Sequence, residues 1–249
     1  MKRLHTPQET KDFRNTLQSV GFVPTMGALH SGHVSLIQKS QKQDEHTVVS
    51  IFLNPTQFNN PMDLKQYPVS LEDDLRILRE LEVDAVFLPQ EQDMYPDGYH
   101  YKITEDNFSK ELCGKTRPGH FDGVLTVVMK LLQIVRPSRA YFGEKDFQQL
   151  KLIENMVNAF FMDVEIVACP IVRDSAGLAL SSRNKRLSPS GLAKAQSFAQ
   201  KLNSTTRLVD LEKQLTNEGI PVDYLEEHFG RRFAAVHIED VRLIDNVPL

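Results

Sequence analysis

Residues 20–37 read VGFVPTMGALHSGHVSLI, and their reading decides the fold. Val20 to Val23 form a short apolar entry that runs into Pro24-Thr25-Met26-Gly27. His30 and His33 follow, separated by Ser31-Gly32, and an apolar-periodic segment begins at Val34. This is the pattern of a strand, a tight turn and a helix that carries both histidines in its first turn, on one face. The free N–H groups and positive dipole end of such a helix favour an anion. Two imidazoles beside them supply donors that can follow a phosphate as charge grows in a transition state. Gly27 and Gly32 would let the backbone approach a ligand closely. Taken alone, H-x-G-H reads more readily as a β-α turn with two surface histidines. The strand-turn-helix context favours a phosphate site.

Outward from this unit the first two-thirds of the chain repeats it. Strands are expected at Val20–Thr25, Thr47–Leu53, Asp84–Leu88, Arg139–Phe142 and Val164–Ala168. Thr47–Leu53 (TVVSIFL) is almost continuously apolar, as suits a strand covered on both faces. Between them, Leu71, Leu75, Leu78 and Leu81 mark one helix, with Ser70 as N-cap and Asp73 at the capping-box position. Val124 to Val135 mark a second helix, ended before Pro137, and Phe147 to Phe160 a third. Alternating β and α predicts an α/β fold, a Rossmann-like doubly wound parallel sheet. After about Ile171 the pattern changes. A helix opening at Ser188-Pro189 and running to about Asn203, and a second over Thr206–Thr216, precede short runs at Val222–Leu225, Ala234–Ile238 and Val241–Ile244. These predict a smaller α+β C-terminal domain. The expected division is 1–171 and 172–249.

Composition narrows the function classes. A chain of 249 residues with 41% hydrophobic and 25% charged residues is ordinary for a globular protein. A net charge of −4 offers no basic excess for nucleic acid or an anionic membrane. The two cysteines, Cys113 and Cys169, are far apart and outside any C-x-x-C pattern, against a disulfide framework or zinc site. With no signal-peptide core at the N-terminus and no run long enough to span a bilayer, a cytoplasmic setting is expected.

Three further segments carry chemistry, two at strand ends, where open parallel sheets bind ligands, and one at the start of the second domain. In FLNPTQF (52–58), Gln57 brings an amide able to donate and accept, unless Asn54-Pro55 is only a turn. In FGEKDFQQ (142–149), Lys145 is a point charge suited to phosphate. Asp146 is an N-cap or a ligand for a sugar hydroxyl or metal, and Gln149 lies one helical turn on. LSSRN (180–184) follows an evident turn at Asp174–Gly177, and its two hydroxyls and guanidinium can grip a polyphosphate or belong to a linker. RPGHFDG (117–123) is a glycine-rich loop, either a mobile cover or a plain connection. Their convergence suggests a nucleotide in a cleft between the domains.

With these motifs in hand, the chain resembles the pantothenate synthetase (pantoate–β-alanine ligase) family over most of its length. The match rests on PTMGALHSGH, IFLNPTQF, RPGHFDGV, FGEKDFQQL, LALSSRN and RLIDN, in that order. The resemblance implies ATP-dependent joining of pantoate to β-alanine through pantoyl adenylate, with Mg²⁺, in a homodimer that engages neither nucleic acid nor membrane. It implies that Met26, Gly27, Ala28, Leu29, His30, Ser31, Gly32 and His33 line the ATP site, with His33 and His30 stabilising charge at the α-phosphorus. Gln57 and Gln149 would hold pantoate, and Gln57 would also approach β-alanine. Gly143, Glu144, Lys145 and Asp146 would bind ATP, and Val172 would touch adenine. Leu180, Ser181, Ser182 and Arg183 would close on the outer phosphates, Lys145 and Arg183 joining the histidines as catalytic groups. Asp73 and Asp74 lie where the family can hold Mg²⁺. Between Pro221–Glu226 and Ala234–Val236 family members usually carry a longer insert, so the second domain, read as a lid, is expected to be trimmed. Two rival classes share the fold: a nucleotidyltransferase releasing a dinucleotide-type product, which would usually lack Gln57 with Gln149, and a silent nucleotide sensor, which loss of His33, Lys145 or Arg183 would have favoured.

Overall fold

A computed structural model of the chain describes residues 1–204 and 206–249. Six parallel strands form the main sheet: β1 (Lys2–Leu4), β2 (Val20–Thr25), β3 (His46–Ile51), β4 (Ala85–Phe87), β5 (Arg139–Gly143) and β6 (Glu165–Cys169). Their order is β1-β4-β3-β2-β5-β6. The chain moves outward from β2 through β3 and β4, then crosses back to lay β5 on the other side of β2. The reversal of strand order falls between β2 and β5, and the crevice at their carboxyl ends is where such sheets bind ligands.

The helices of this part are α1 (Pro7–Arg14), α2 (Ser31–Gln43), α3 (Pro61–Lys65), α4 (Leu71–Glu80), α5 (Glu91–Met94), α6 (Leu112–Thr116), α7 (His120–Val135) and α8 (Phe147–Ala159). One buried apolar cluster joins α7 and α8 to Phe22 and Phe142, and a second joins α2 and α4 to Val23 and Tyr141. Adjacent residues of β2 and of β5 thus serve opposite faces, which is why both strands read as continuous apolar runs. Helix α7 stops at Arg136, which takes a left-handed φ of 44° before Pro137. The proline disfavours α-geometry at that position.

The remainder comprises α9 (Pro189–Leu202), α10 (Leu208–Asn217) and an antiparallel sheet of β7 (Val222–His228), β8 (Arg231–Ile238) and β9 (Val241–Pro248). It has its own apolar core, including Phe198, Leu211 and Val236, and its sheet also sends Tyr224 and Phe233 into the core of the first part. β7 extends three residues beyond the expected Leu225. Phe229 and Gly230, both at positive φ, form a two-residue turn of the kind that matches strand twist.

Two local expectations are corrected. Ser70 does hold the N-cap position of α4, but its hydroxyl makes no cap bond and instead reaches Asp74 Oδ1 at 3.3 Å. Asp73 turns outward to Arg76. The segment 117–123 is neither cover nor plain loop in its second half: His120–Gly123 is the first turn of α7. A Cβ on Gly123 would lie 2.5 Å from the Thr56 carbonyl oxygen, so glycine is what lets this helix press against the turn that carries Gln57.

Candidate active site

The turn between β2 and α2 is held from beneath. Asp74 accepts hydrogen bonds from the N–H groups of Ala28 at 2.8 Å and Leu29 at 2.7 Å. Gly27 sits at φ +82°, and a Cβ there would lie 3.0 Å from Asp74 Oδ2. His30 is the N-cap of α2, and its Nδ1 accepts from Gly32 N–H at 3.1 Å. A Cβ on Gly32 would meet the His30 ring at 2.8 Å. The two glycines therefore make room for Asp74 and His30, where close approach to a ligand was expected.

His33 Nδ1 accepts from His30 N–H at 3.4 Å, and the two rings stand 4.1 Å apart. Each Nδ1 thus faces a backbone donor, which places the single proton of a neutral ring on Nε2. Burial, then the Lys145 charge, pulls His30 down to about 4. Burial, then His30 and Lys145, pulls His33 to about 3. At neutral pH both are uncharged, oriented N–H donors on the wall of the cavity.

Beyond the end of β3, residues 55–57 form a single 3₁₀ turn. The buried Tyr95 hydroxyl donates to Asn54 Oδ1 at 2.7 Å, and Thr56 Oγ1 to the same oxygen at 3.0 Å. That fixes the Asn54 amide, whose Nδ2 donates to Gln57 Oε1 at 3.0 Å. Gln57 is left with its Nε2 beside Met26 Sδ at 3.3 Å, so it offers a donor to the cavity. The Gln57 carbonyl accepts from Arg117 at 3.0 Å and from His120 Nδ1 at 2.8 Å. Burial, then the Arg183 charge, brings the Arg117 guanidinium down to about 10. Gln149 lines the same cavity from α8. Its neighbour Gln148 also borders the cavity but is buried, and spends its amide on Cys113 N–H and on the Phe108 and Glu111 carbonyls.

Lys145 and Asp146 enter the cavity from the turn after β5. Asp146 occupies the N-cap position of α8 without a side-chain cap bond, so its carboxylate stays available. From the second part, Val172 and Leu180 to Arg183 complete the wall, Leu180 N–H donating to the Val172 carbonyl at 2.9 Å. Ser182 donates to the Tyr67 hydroxyl at 3.0 Å. Arg183 pairs with Asp63 at 2.9 Å and lies over the Tyr67 ring at 5.5 Å.

The expected residues Met26, His30, Gly32, His33, Gln57, Gly143, Lys145, Asp146, Gln149, Val172 and Leu180 to Arg183 are thereby brought to one cavity. Gly27, Ala28, Leu29, Ser31 and Glu144 do not line it: the first three are buried in the turn, and Ser31 is exposed to solvent. Asp73 and Asp74 do not reach it. Asp74 is 1% exposed with its oxygens committed to the 27–29 turn, and Asp73 is in solvent, so the pair does not fit a shared metal. Among the described residues no group of three or more metal-ligating side chains converges. Arg117, Asp63, Asn54 and Tyr67 also line the cavity, and sequence reasoning misses them as site residues. Asn54 lies within a motif whose chemistry is assigned there to Gln57, and Arg117 within a segment read there only as a cover or a connection. Asp63 and Tyr67 carry no local signal.

A parallel sheet with neutral imidazole donors, a lysine, a hydroxyl-guanidinium run and paired amides at its switch point has the architecture of a Rossmann-like enzyme, with a cavity chemically suited to a phosphorylated ligand. The pantoate-beta-alanine ligase family model matches residues 2–248. A pantothenate synthetase of Legionella pneumophila (strain Lens) is 52% identical over 252 residues, covering 100% of both chains. The pantoate-beta-alanine ligase of Francisella tularensis, in a crystal structure complexed with beta-gamma ATP and beta-alanine, superposes with a TM-score of 0.96 at 44% identity. It covers 100% of this chain and 97% of that one. The pantothenate synthetase of Thermus thermophilus gives 0.91 at 37% identity, covering 100% and 99%. The chain belongs to the pantoate–β-alanine ligase family, enzymes that make pantothenate from pantoate and β-alanine.

Proposed function

We propose that the chain makes pantothenate in two steps at this one cavity, at the expense of ATP. In the first, a pantoate carboxylate oxygen attacks the α-phosphorus of ATP, and the bond to the bridging oxygen breaks to release pyrophosphate. In the second, the β-alanine amine attacks the acyl carbon of pantoyl adenylate. AMP leaves with the acyl–oxygen electron pair, and the amine loses a proton. The observation that carries this reading is the meeting, in one cavity, of groups suited to phosphate and groups suited to a hydroxy acid.

His30 and His33 act as neutral donors to the α-phosphate oxygens, where negative charge grows as the fifth bond forms. Lys145 neutralises the same phosphate region. Ser181, Ser182 and Arg183 take the outer phosphates, and Asp146 the ribose. Gln57 and Gln149 hold the hydroxy acid, whose branched carbon skeleton suits the apolar wall of Val124, Val127, Val128 and Leu131 on α7. Arg117, the cation beside Gln57, suits a free substrate carboxylate. Mg²⁺ would be held by the ATP phosphates rather than by a carboxylate cluster of the protein, and would supply charge neutralisation there. Residues 172–249 are read as a unit that closes on ATP, and the assembly as a homodimer, on the family resemblance.

The test is pyrophosphate release. It is expected to require pantoate and ATP together, and AMP and pantothenate to appear only when β-alanine is added. Pyrophosphate formed without pantoate would overturn the reading.

A further inference from the structure

The last strand of the small sheet reaches across to the turn that carries Lys145. Asn246, near the end of β9, is 1% exposed. Its Nδ2 donates to two consecutive carbonyls, Glu144 at 2.9 Å and Lys145 at 3.0 Å. Its Oδ1 accepts from Arg231 Nε at 2.6 Å, which fixes which end of the amide faces the turn. Its backbone is fixed as well. Arg173 binds Asp245 through two nitrogens, at 2.7 and 2.9 Å, and also donates to the Asn246 carbonyl at 3.1 Å. Asn246 is therefore a rigid two-pronged donor, and the 144–146 turn is what it grips.

A three-residue 3₁₀ turn makes too few bonds of its own to define its orientation. Among the described residues, the Lys145 ammonium has only a distant Asp146 oxygen, at 3.9 Å, to hold it. Its side chain is long and flexible, so its place in the cavity depends on where the backbone of the turn is fixed.

Resting on the ATP reading above, we propose that Asn246 is a positioning residue for Lys145. By holding the Glu144 and Lys145 carbonyls, the small sheet sets where the lysine charge meets the nucleotide phosphates. The effect is on the nucleotide half of the cavity alone. The amides of Gln57 and Gln149 gain nothing from Asn246, since neither bonds to it.

The experiment is a double-mutant cycle on ATP affinity, measured by calorimetry with wild type, Asn246→Ala, Lys145→Ala and the double variant, with pantoate affinity measured separately. Loss of the two carbonyl contacts is expected to weaken ATP about tenfold. In the Lys145→Ala background the same change is expected to cost less than about twofold, because its effect passes through Lys145. Pantoate affinity is expected to stay within about twofold. Losses that multiply in the double variant, or an equal loss of pantoate affinity, would overturn the proposal. If Asn246→Ala does not fold, Asn246→Asp keeps the volume and the Arg231 contact while removing both donors, and the same cycle is read with it. Wild type that binds no ATP would overturn the ATP reading itself, whereas binding with multiplying losses overturns only the role of Asn246.

Discussion

The two ends of the phosphate wall are built on opposite principles. At the β2–α2 end, every orienting contact is to backbone: Asp74 holds the turn, His30 caps Gly32, and His33 takes the His30 N–H. The groups offered are neutral and already aimed. At the other end, Arg183 is charged and committed to Asp63 at 2.9 Å. Arg186 shares that carboxylate at 3.0 Å. The first end gains a ligand without losing a partner. The second must exchange one anion for another. Stabilisation of a transition state favours the first arrangement, because donors aimed in advance need no reorganisation as charge develops. A conformational response favours the second, because a ligand shifts an equilibrium only through contacts that differ between states.

The sharpest way to break this contrast is His33→Ala. Adenylate formation is expected to fall on the order of 10²–10³-fold, the usual effect of removing one aimed donor. The melting temperature should change little, since the hydrogen bond lost, to the His30 N–H, is a long one at 3.4 Å. Single-turnover pyrophosphate release measures it, and a loss under about threefold would show that the histidine end is not the preorganised one.

Arg183→Lys comes next. A lysine keeps the charge and loses the planar fork. ATP affinity and the first half-reaction are expected to drop about tenfold. Attack of β-alanine on pre-formed pantoyl adenylate should be spared, because the outer phosphates have left by then. Rapid-quench measurement of each half-reaction separates the two, and slowing of the second alone would remove Arg183 from the outer-phosphate site.

A smaller effect is expected from pH. An unfolded histidine titrates near 6.5, while burial holds His30 at about 4, His33 at about 3 and His120 at about 3 in the fold. The unfolded chain therefore takes up protons that the native chain refuses. Stability from these three groups is complete above about pH 6.5 and is lost as pH falls toward about 4 for His30 and about 3 for His33 and His120. Thermal melts between about pH 7.5 and 4.5 should show a falling midpoint, and ATP affinity should stay flat between about pH 6.5 and 8. An ATP-affinity transition near about pH 6.5 that disappears in His30→Ala or His33→Ala, and so does not come from the ATP phosphates, would mean that one imidazole is charged when it binds phosphate.

How much of this is legible before folding depends on how local its cause is. β2 is placed correctly at both ends because an apolar run stops at a proline and two turn residues. α7 is placed four residues late, because its first turn reads as loop: Gly119 enters at φ 76°, and Gly123 is chosen for its contact with Thr56 rather than for helix propensity. The edge strand β1 carries no signal in three residues, and only pairing with β4 makes it one. Within the site, the groups borne on strand-to-helix turns are legible because turn chemistry is written in neighbouring residues. Asp74 is not: its role is set by Ala28 and Leu29, 46 and 45 residues earlier in the chain, and from sequence alone a buried acid in an acidic helix start resembles a metal ligand. Asp63 is hidden the same way, since its partner Arg183 is 120 residues away.

Tyr95→Phe extends the comparison to the acid-binding wall, where Gln57 is preorganised through side chains rather than backbone. The phenol hydroxyl fixes Asn54, and Asn54 fixes Gln57. Removing one oxygen leaves Thr56 as the remaining donor to Asn54 Oδ1, so the amide of Gln57 turns more freely. A single neutral hydrogen bond is worth about 0.5–1.5 kcal/mol, so the KM for pantoate should rise about two- to tenfold, with ATP affinity unchanged. Steady-state kinetics with each substrate varied in turn measures this, and an equal rise for ATP would show that Tyr95 supports the fold rather than Gln57.

The smallest expected effect tests the exchange end directly. Burial opposes ionisation of Asp63, but the Arg183 hydrogen bond and charge outweigh it and hold the carboxyl below its usual range. The pair is part-exposed, at 22% for Arg183 and 27% for Asp63, so it contributes at most about 1 kcal/mol. Asp63→Asn removes the competing charge and leaves Arg183 free for phosphate without loss of volume. ATP should then bind about two- to fivefold more tightly at low salt, and the gain should shrink as salt screens the pair in wild type. Among the described residues, neither imidazole at the histidine end is paired with an acid, so no substitution of its orienting partners should tighten ATP. Calorimetric titration of Asp63→Asn at two ionic strengths decides it. Weaker binding would mean that Asp63 holds Arg183 in place for the nucleotide, which would make this end as preorganised as the other.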